Sequence, residues 1–151
     1  NLILSRIREA MQKLYEQAMR AAAVDDVSTP PDSLVLYSIS YLPTAENKDK
    51  AFAYLQTNPK AMMIDQTPCG QKLIALGMLE DILPKDQIVE IWKLASKRLI
   101  AAASGNVTAF VNKADKRSVF RQQELPGLLK NDKVKSINGM DKFAFAQRFD
   151  D

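Results

Sequence analysis

The chain has 151 residues, a length that fits one domain of two lobes, and its 21 Lys and Arg against 18 Asp and Glu give a net charge of +3. It contains one cysteine, Cys69, and no histidine. These counts exclude an intramolecular disulfide, nucleophiles activated by histidine, and a usual zinc site within the chain. We therefore expect a protein of a reducing compartment that holds no metal and in which Cys69 is a small packed residue.

The first half of the chain is predicted to be mainly helical. Apolar residues at helical spacing predict a helix over 2–23, and the adjacent prolines of DDVSTPPDS end it. The apolar, partly β-branched run LVLYSIS at 34–40 predicts a strand. We expect a helix over about 46–57, while the apolar run at 61–65 fits either a helix or a strand.

Two further helices are predicted in the middle of the chain. Thr67 is the expected N-cap, and Pro68 the first residue, of a helix that continues to about residue 83. Pro84 opens the next helix, which has a continuous apolar face and ends at Gly105.

The last third of the chain is predicted to alternate strands and helices. A strand is expected over Val107–Val111, a short helix over 123–130, and a second strand, ending in a turn, over 132–139. The final segment, 141–149, fits either a helix or a strand. Such alternation is typical of a small parallel sheet with flanking helices.

The predicted fold is α/β, with a mainly helical N-terminal half followed by a small parallel sheet. We expect the helical part to cover about 1–105, and the sheet part to cover about 106–151 with the strand at 34–40. The sequence begins inside a predicted helix, so we expect the chain to be a C-terminal fragment of a larger protein. No apolar run in the sequence approaches the length of a membrane span.

Two stretches of the second half carry a resemblance to a known family. IWKLASKRLIAAASGNVTAFV, at 91–111, has Trp92, then Ser96 four residues later, then a basic pair and a strand. SVFRQQEL has Glu124 four residues after Phe120. Both resemble segments of the ADP-ribosyl cyclase family of NAD glycohydrolases, in which the second segment carries the catalytic glutamate.

Two earlier stretches extend the resemblance over about 34–140. MIDQTPCGQKL is similar to the family's acidic–Thr–x–x–Gly segment and places Asp65, Thr67 and Gly70 in it. LVLYSIS resembles the strand that bears the family's first active-site tryptophan. In this chain Tyr37 stands at that position, followed by Ser38.

The resemblance implies an ADP-ribosyl cyclase-like fold and cleavage of the nicotinamide–ribose bond of NAD(P)+, which is the substrate and not a cofactor. It implies hydrolysis with a minor cyclase activity, and Glu124 as the catalytic residue. It assigns substrate contacts to seven other residues, which are Trp92, Asp65, Tyr37, Ser38, Ser96, Phe120 and Arg121.

A single carboxylate suffices for this chemistry. Nicotinamide is positively charged while bonded to ribose and leaves as a neutral molecule, so no general acid is required. Positive charge develops on the ribose in the transition state, and a fixed carboxylate stabilises it, as in glycosidases. A chain without histidine is therefore compatible with NAD cleavage.

Each candidate residue also has an ordinary structural interpretation. Glu124 suits a helix start, and Trp92 falls on an apolar helix face that is typical of core residues. Asp65 precedes a helix cap, and Ser96 could bond the backbone carbonyl four residues back. For Glu124, the structural interpretation, a helix-terminal glutamate in solvent, would be favoured if the sequence did not resemble the family.

The expected biological role is that of a toxin domain. We expect the domain to be delivered as part of a larger secreted or surface protein, as in contact-dependent growth inhibition, and to deplete NAD in the cytosol of a target cell. A cognate immunity protein is the expected partner. Two alternatives remain open: a non-enzymatic α/β module that binds a protein or nucleic acid, and a ribonuclease-type toxin. The scattered Lys and Arg residues are only a weak indication of nucleic-acid binding.

Overall fold

The structure is a computed structural model that describes residues 1–38 and 45–149, and its chain divides into two compact units. Unit 1 comprises Asn1–Val27 and Ile64–Arg98, and unit 2 comprises Ser28–Met63 and Leu99–Asp151. The predicted strand at 34–40 extends past residue 38, so its last two residues lie outside the described part of the chain.

The described residues contain six α-helices and four strands. The helices are α1 (Leu2–Val24), α2 (Glu46–Thr57), α3 (Pro68–Ala75), α4 (Lys85–Ala102), α5 (Leu125–Lys130) and α6 (Lys142–Gln147). The strands are β1 (Val35–Tyr37), β2 (Gly105–Phe110), β3 (Val134–Ile137) and β4 (Met140–Asp141). A 3₁₀ turn at Ile64–Gln66 precedes α3, and a π-helix at Phe120–Glu124 precedes α5. None of these helices combines the length and apolarity needed to cross a bilayer.

Small side chains form the contact between α1 and α3 in unit 1. Ala18, Ala21 and Ala22 of α1 are buried, and the Sγ of Cys69 donates to the Ala21 carbonyl oxygen at 3.2 Å. Burial raises the pKa of the Cys69 thiol, which is held protonated as a weak donor. The prediction that Cys69 is a packed residue is confirmed.

Helix α3 is shorter than predicted. Thr67 caps it and Pro68 opens it as expected, but it ends at Ala75 instead of continuing to residue 83. Gly77 has φ +84, a left-handed conformation that the α-helix cannot continue through. The residues between Gly77 and α4 form turns, with Met78 and Leu83 buried.

Unit 2 is built on a sheet with the order β1-β2-β3-β4. β1 pairs with β2, and β2 with β3, in parallel, as predicted. β4 pairs with β3 in antiparallel fashion and was not predicted. The two strands are joined by Asn138 and Gly139, both of which have positive φ, the requirement of a tight hairpin turn. The undecided segment at 141–149 contains helix α6, which Asp141 caps by accepting hydrogen bonds from the backbone N–H groups of Phe143 and Ala144.

The carboxyl ends of the parallel strands lie at one edge of the sheet. Tyr37 pairs with Phe110, so β1 and β2 end level with each other. β3 ends earlier, since Ile137 pairs with Val107. The Asn138 side chain fills the gap: its Oδ1 accepts from the Ala109 N–H at 2.7 Å, and its Nδ2 donates to the Ala109 carbonyl at 2.9 Å. An amide side chain thus replaces a backbone partner at this edge.

Candidate functional site

Glu124 ends a π-helix, a rare form of helix that is often found at functional sites. The Leu125 N–H donates to the Phe120 carbonyl, five residues back, so the turn holds one residue more than an α-helical turn. Pro126 follows directly and has no N–H, and its ring crowds the carbonyl four residues back, at Gln122. Widening of the turn before a proline relieves this crowding, which gives a local reason for the π-helix.

Burial distinguishes Glu124 from an ordinary helix-terminal glutamate. Its side chain is 9% exposed, and carboxylates are rarely buried to this extent without a stabilising environment. The ordinary interpretation, a glutamate in solvent at a helix start, is therefore wrong. The structure places the predicted catalytic carboxylate in a protected position on an unusual helical turn.

Phe120 and Arg121 anchor the π-helix to the end of the described chain. The Phe120 ring is 1% exposed, with its centroid 6.0 Å from that of Phe149. The Arg121 guanidinium lies 4.9 Å from the Phe149 ring centroid, and its Nη2 donates to the Phe149 carbonyl at 2.7 Å. Both side chains thus hold the segment that carries Glu124 against Phe149, just after α6.

Tyr37 is the last residue of β1, and Ser38 follows it directly. The Tyr37 ring is half-buried, and its centroid lies 6.2 Å from that of Phe52 on α2. Ser38 is 3% exposed, and its N–H donates to the Phe110 carbonyl at 3.1 Å. The Ser38 hydroxyl oxygen is buried and has no hydrogen-bond partner within 1–38 and 45–149. A buried hydroxyl without a partner is costly, and a bound polar group would satisfy it.

Asn47 holds Ser38, directly after β1, and Asn112, just after β2, and was not found from the sequence. It is buried in the first turn of α2, and its Nδ2 donates to the carbonyls of Ser38 and Asn112, both at 3.0 Å. An asparagine near a helix start is a common surface residue, so the sequence contains no sign of this role. The contact appears only once α2 has packed on β1 and β2.

Asp65 lies in unit 1 on a tightly capped turn. The Thr67 Oγ1 donates to the Ile64 carbonyl at 2.7 Å and accepts from the Gly70 N–H at 3.0 Å. A Cβ added at Gly70 would overlap the Ile64 carbonyl oxygen, so only glycine fits there. The Thr–x–x–Gly spacing thus has a structural cause, the N-cap of α3, which fixes the backbone of the half-buried Asp65.

Trp92 and Ser96 lie one turn apart on α4, in unit 1. The Trp92 ring is half-buried, and its Nε1 donates to the Met78 carbonyl at 2.8 Å, which fixes the orientation of the indole. Ser96 is half-buried too. The predicted site residues therefore fall in two groups: Asp65, Trp92 and Ser96 on unit 1, and Tyr37, Ser38, Phe120, Arg121 and Glu124 on unit 2.

The fold is that of ADP-ribosyl cyclase. Porcine CD38, solved with the covalent intermediate ribo-F-ribose-5′-phosphate, is 22% identical with a TM-score of 0.56, over 85% of this chain and 67% of that one. ADP-ribosyl cyclase complexed with N1-cIDPR is 17% identical, with a TM-score of 0.55, over 83% and 62%. Aplysia cyclase complexed with substrate NGD and product cGDPR is 20% identical, with a TM-score of 0.54, over 85% and 62%.

The similarity lies in the fold and not in closely matching sequence. No protein-family model matches the chain, and no curated protein matches it either. The chain spans about three fifths of the length of the two cyclase structures. These comparisons show a small α/β domain of ADP-ribosyl cyclase fold.

Proposed function

We propose that this chain is an NAD(P)+ glycohydrolase that uses Glu124 as its catalytic residue. The observation that carries the proposal is a buried carboxylate on a π-helical turn, in a domain whose fold is that of ADP-ribosyl cyclase. Glu124 occupies the position that the sequence resemblance gives to the catalytic glutamate. Burial strengthens its interaction with a developing positive charge, because less water screens it.

The proposed reaction breaks the bond between C1′ of the ribose and the nicotinamide nitrogen. The electron pair of this bond goes to nicotinamide, which leaves as a neutral molecule. The Glu124 carboxylate opposes the positive charge that develops on C1′ and the ring oxygen. Water then forms a bond from its oxygen to C1′ and releases a proton, which gives ADP-ribose. Attack by the adenine of the same substrate gives the cyclic product as a minor route.

The other candidate residues have proposed roles that follow from their chemistry. Tyr37 and Trp92 offer aromatic faces for stacking. The Asp65 carboxylate can accept a hydrogen bond from the nicotinamide amide. The hydroxyls of Ser38 and Ser96 can donate to the substrate.

Phe120 and Arg121 have a further role within the proposal. Both position the turn that carries Glu124 through their contacts with Phe149. Arg121 uses Nη2 for the Phe149 carbonyl. We propose that its other N–H groups face the pyrophosphate, since a guanidinium carries five donors.

The decisive experiment follows NAD+ by chromatography after incubation with wild-type protein or Glu124→Gln. Glutamine keeps the shape of the side chain and removes the charge, so we expect nicotinamide release to slow by about 10²–10³-fold. Glu9→Gln, the same change at an exposed site on α1, is the matched control and should leave the rate unaltered. A folded Glu124→Gln protein that cleaves NAD+ at the wild-type rate would falsify the assignment.

The same experiment separates the alternatives. RNA degradation with NAD+ left intact would favour the ribonuclease-type toxin. Loss of neither substrate, from a protein with a cooperative unfolding transition, would favour a non-enzymatic module. Both results contradict the glycohydrolase proposal.

We also propose a toxin role, in which the domain reaches the cytosol of a target cell as part of a larger secreted or surface protein and depletes its NAD. An enzyme of this kind would harm the cell that makes it, so we propose a cognate immunity protein as partner. The net charge of +3 favours an acidic partner, whose association would be fastest at low salt. Expression of the wild-type domain alone should lower cellular NAD and arrest growth, whereas Glu124→Gln should do neither.

A further inference from the structure

Unit 2 contains an open cavity of about 350 Å³ at the carboxyl ends of β2 and β3. Its walls are formed by the residues around the end of β2, by Asn138 after β3, by the first turns of α2, and by α6 with the residues that follow it. Small-molecule sites of parallel sheets lie at this edge, and pockets of this volume accommodate small ligands. Glu124, the proposed catalytic residue, does not line this cavity. The cavity is therefore a different place in unit 2 from the position of that carboxylate.

The charged side chains that line the cavity are all cations. They are Lys50, Lys113 and Arg148, and no Asp or Glu of the described residues lines it. Lys50 is neutralised by Glu46, whose Oε1 lies 2.7 Å from its Nζ. The same carboxylate also attracts Lys113 electrostatically, so Lys50 and Lys113 share one negative charge. The three cations of the lining therefore exceed the charge of this one neighbouring carboxylate, and a concave surface with excess positive charge attracts an anion.

The walls of the cavity are held in place before any ligand binds. The Asn138 amide is fixed by both backbone groups of Ala109, and the Asn47 amide by the carbonyls at the ends of β1 and β2. Lys113 has φ +55, a left-handed conformation that is strained for a non-glycine residue. Strain of this kind concentrates at ligand sites, where it fixes a side chain in position.

The apolar part of the lining comprises Ala109, Val111 and three aromatic residues, Phe110, Phe145 and Phe149. The ring centroids of Phe145 and Phe149 lie 5.4 Å apart. A free inorganic anion would leave these rings unused, whereas a phosphate on an aromatic or sugar body would contact both parts of the lining. We propose that this cavity is a second site, which binds a phosphate-bearing small molecule of the nucleotide class.

The proposal is tested by calorimetry with AMP as the probe and adenosine as its uncharged control. AMP should bind wild-type protein, and adenosine should bind at least tenfold more weakly. Lys113→Gln and Arg148→Gln should each weaken AMP binding about tenfold, since each removes a charge-assisted contact. Lys13→Gln, the same charge change at an exposed site on α1, should leave the affinity unaltered. Arg148→Lys, which keeps the charge, should restore part of the affinity.

The measurement does not depend on the proposed function, because it uses no NAD+ and can be repeated in Glu124→Gln. The proposal fails if AMP at 10 mM gives no saturable binding. That result is expected if the cations of the lining bind an acidic protein instead of a small molecule. It also fails if adenosine or inorganic phosphate binds as well as AMP. Equal AMP affinity for Lys113→Gln and wild type would place the bound phosphate elsewhere and overturn the proposal too.

Discussion

Gly70→Ala is expected to destabilise the protein through a single backbone clash. The added Cβ would overlap the Ile64 carbonyl oxygen and lie 2.7 Å from the Ile64 carbonyl carbon. Overpacking of a core usually costs about 1–3 kcal/mol. The atoms met here belong to backbone and cannot move aside by a rotamer change, so we expect the free energy of unfolding to fall by about 3 kcal/mol or more.

The size of the effect also follows from what the Ile64 carbonyl does. It accepts hydrogen bonds from the N–H of Thr67 at 3.1 Å and from its Oγ1 at 2.7 Å. A displaced carbonyl loses both bonds and weakens the N-cap of α3. Thr67→Val removes the cap directly, at a cost of about 1–2 kcal/mol. Both substitutions act through the same carbonyl. The double variant should therefore lose less free energy of unfolding than the sum of the losses in the two single variants.

Thermal unfolding, followed by circular dichroism, measures the effect. For a chain of this length, 1 kcal/mol corresponds to about 2–4 °C, so Gly70→Ala should lower Tm by about 6–12 °C. Gly139→Ala is the matched control, since a Cβ there would meet nothing within 4 Å and its φ of +76 costs about 1 kcal/mol. If the two variants melt within 2 °C of each other, the close approach of α3 to the Ile64–Gln66 turn is not what requires glycine.

Two further predictions concern unit 1. Cys69 should react with a thiol reagent far more slowly in the native protein than in urea, because its pKa is raised by burial. Labelling of the native protein at pH 7 as fast as in urea would contradict this protection. The folded pKa of Cys69 lies above the unfolded value of about 8.5. The stability gained from the buried thiol is therefore complete below the unfolded pKa and is lost as the pH rises through the folded pKa. Arg98→Met should lower the free energy of unfolding by about 2 kcal/mol, because Arg98 donates to the carbonyls of Ala22 and Asp25 at the end of α1. Lys97→Met, the same change at the exposed neighbouring residue, should cost less than 0.5 kcal/mol, and equal losses would argue against a capping role for Arg98.

The elements that the sequence predicts well are those with local causes. Helix α2 begins at Glu46 and ends at Thr57 as expected, and Thr67 and Pro68 open α3 as their cap chemistry requires. The end of α3 was missed because Gly77 lies within an apolar pattern that continues beyond it. Its positive φ depends on the turn that follows, which periodicity does not reveal.

The candidate site shows the same division between local and distant causes. The family resemblance supplied Glu124, but neither its burial nor the π-helix could be predicted. The burial of a side chain depends on packing between segments distant in sequence, such as that of Phe149 on Phe120 of the same turn. The proline at 126 was visible, yet a proline near a helix start predicts an ordinary first turn as readily as a widened one. Asn47 and Asn138 were missed because their partners are backbone groups that only the folded chain brings beside them.

The two asparagine amides explain how a sheet this small offers a fixed edge for ligands. β1 has three residues and β3 has four, so few backbone bonds hold their carboxyl ends. Asn138 continues the ladder beside Ala109, and Asn47 connects Ser38, directly after β1, with Asn112, just after β2. Each of these two amides supplies hydrogen bonds that a longer strand would supply through its backbone. Because no further strand residues are needed, the edge of the sheet stays accessible to a ligand. Phe149 lines the cavity at this edge and also contacts Phe120 and Arg121 of the π-helix, so one side chain of unit 2 supports both the cavity and the turn that carries Glu124.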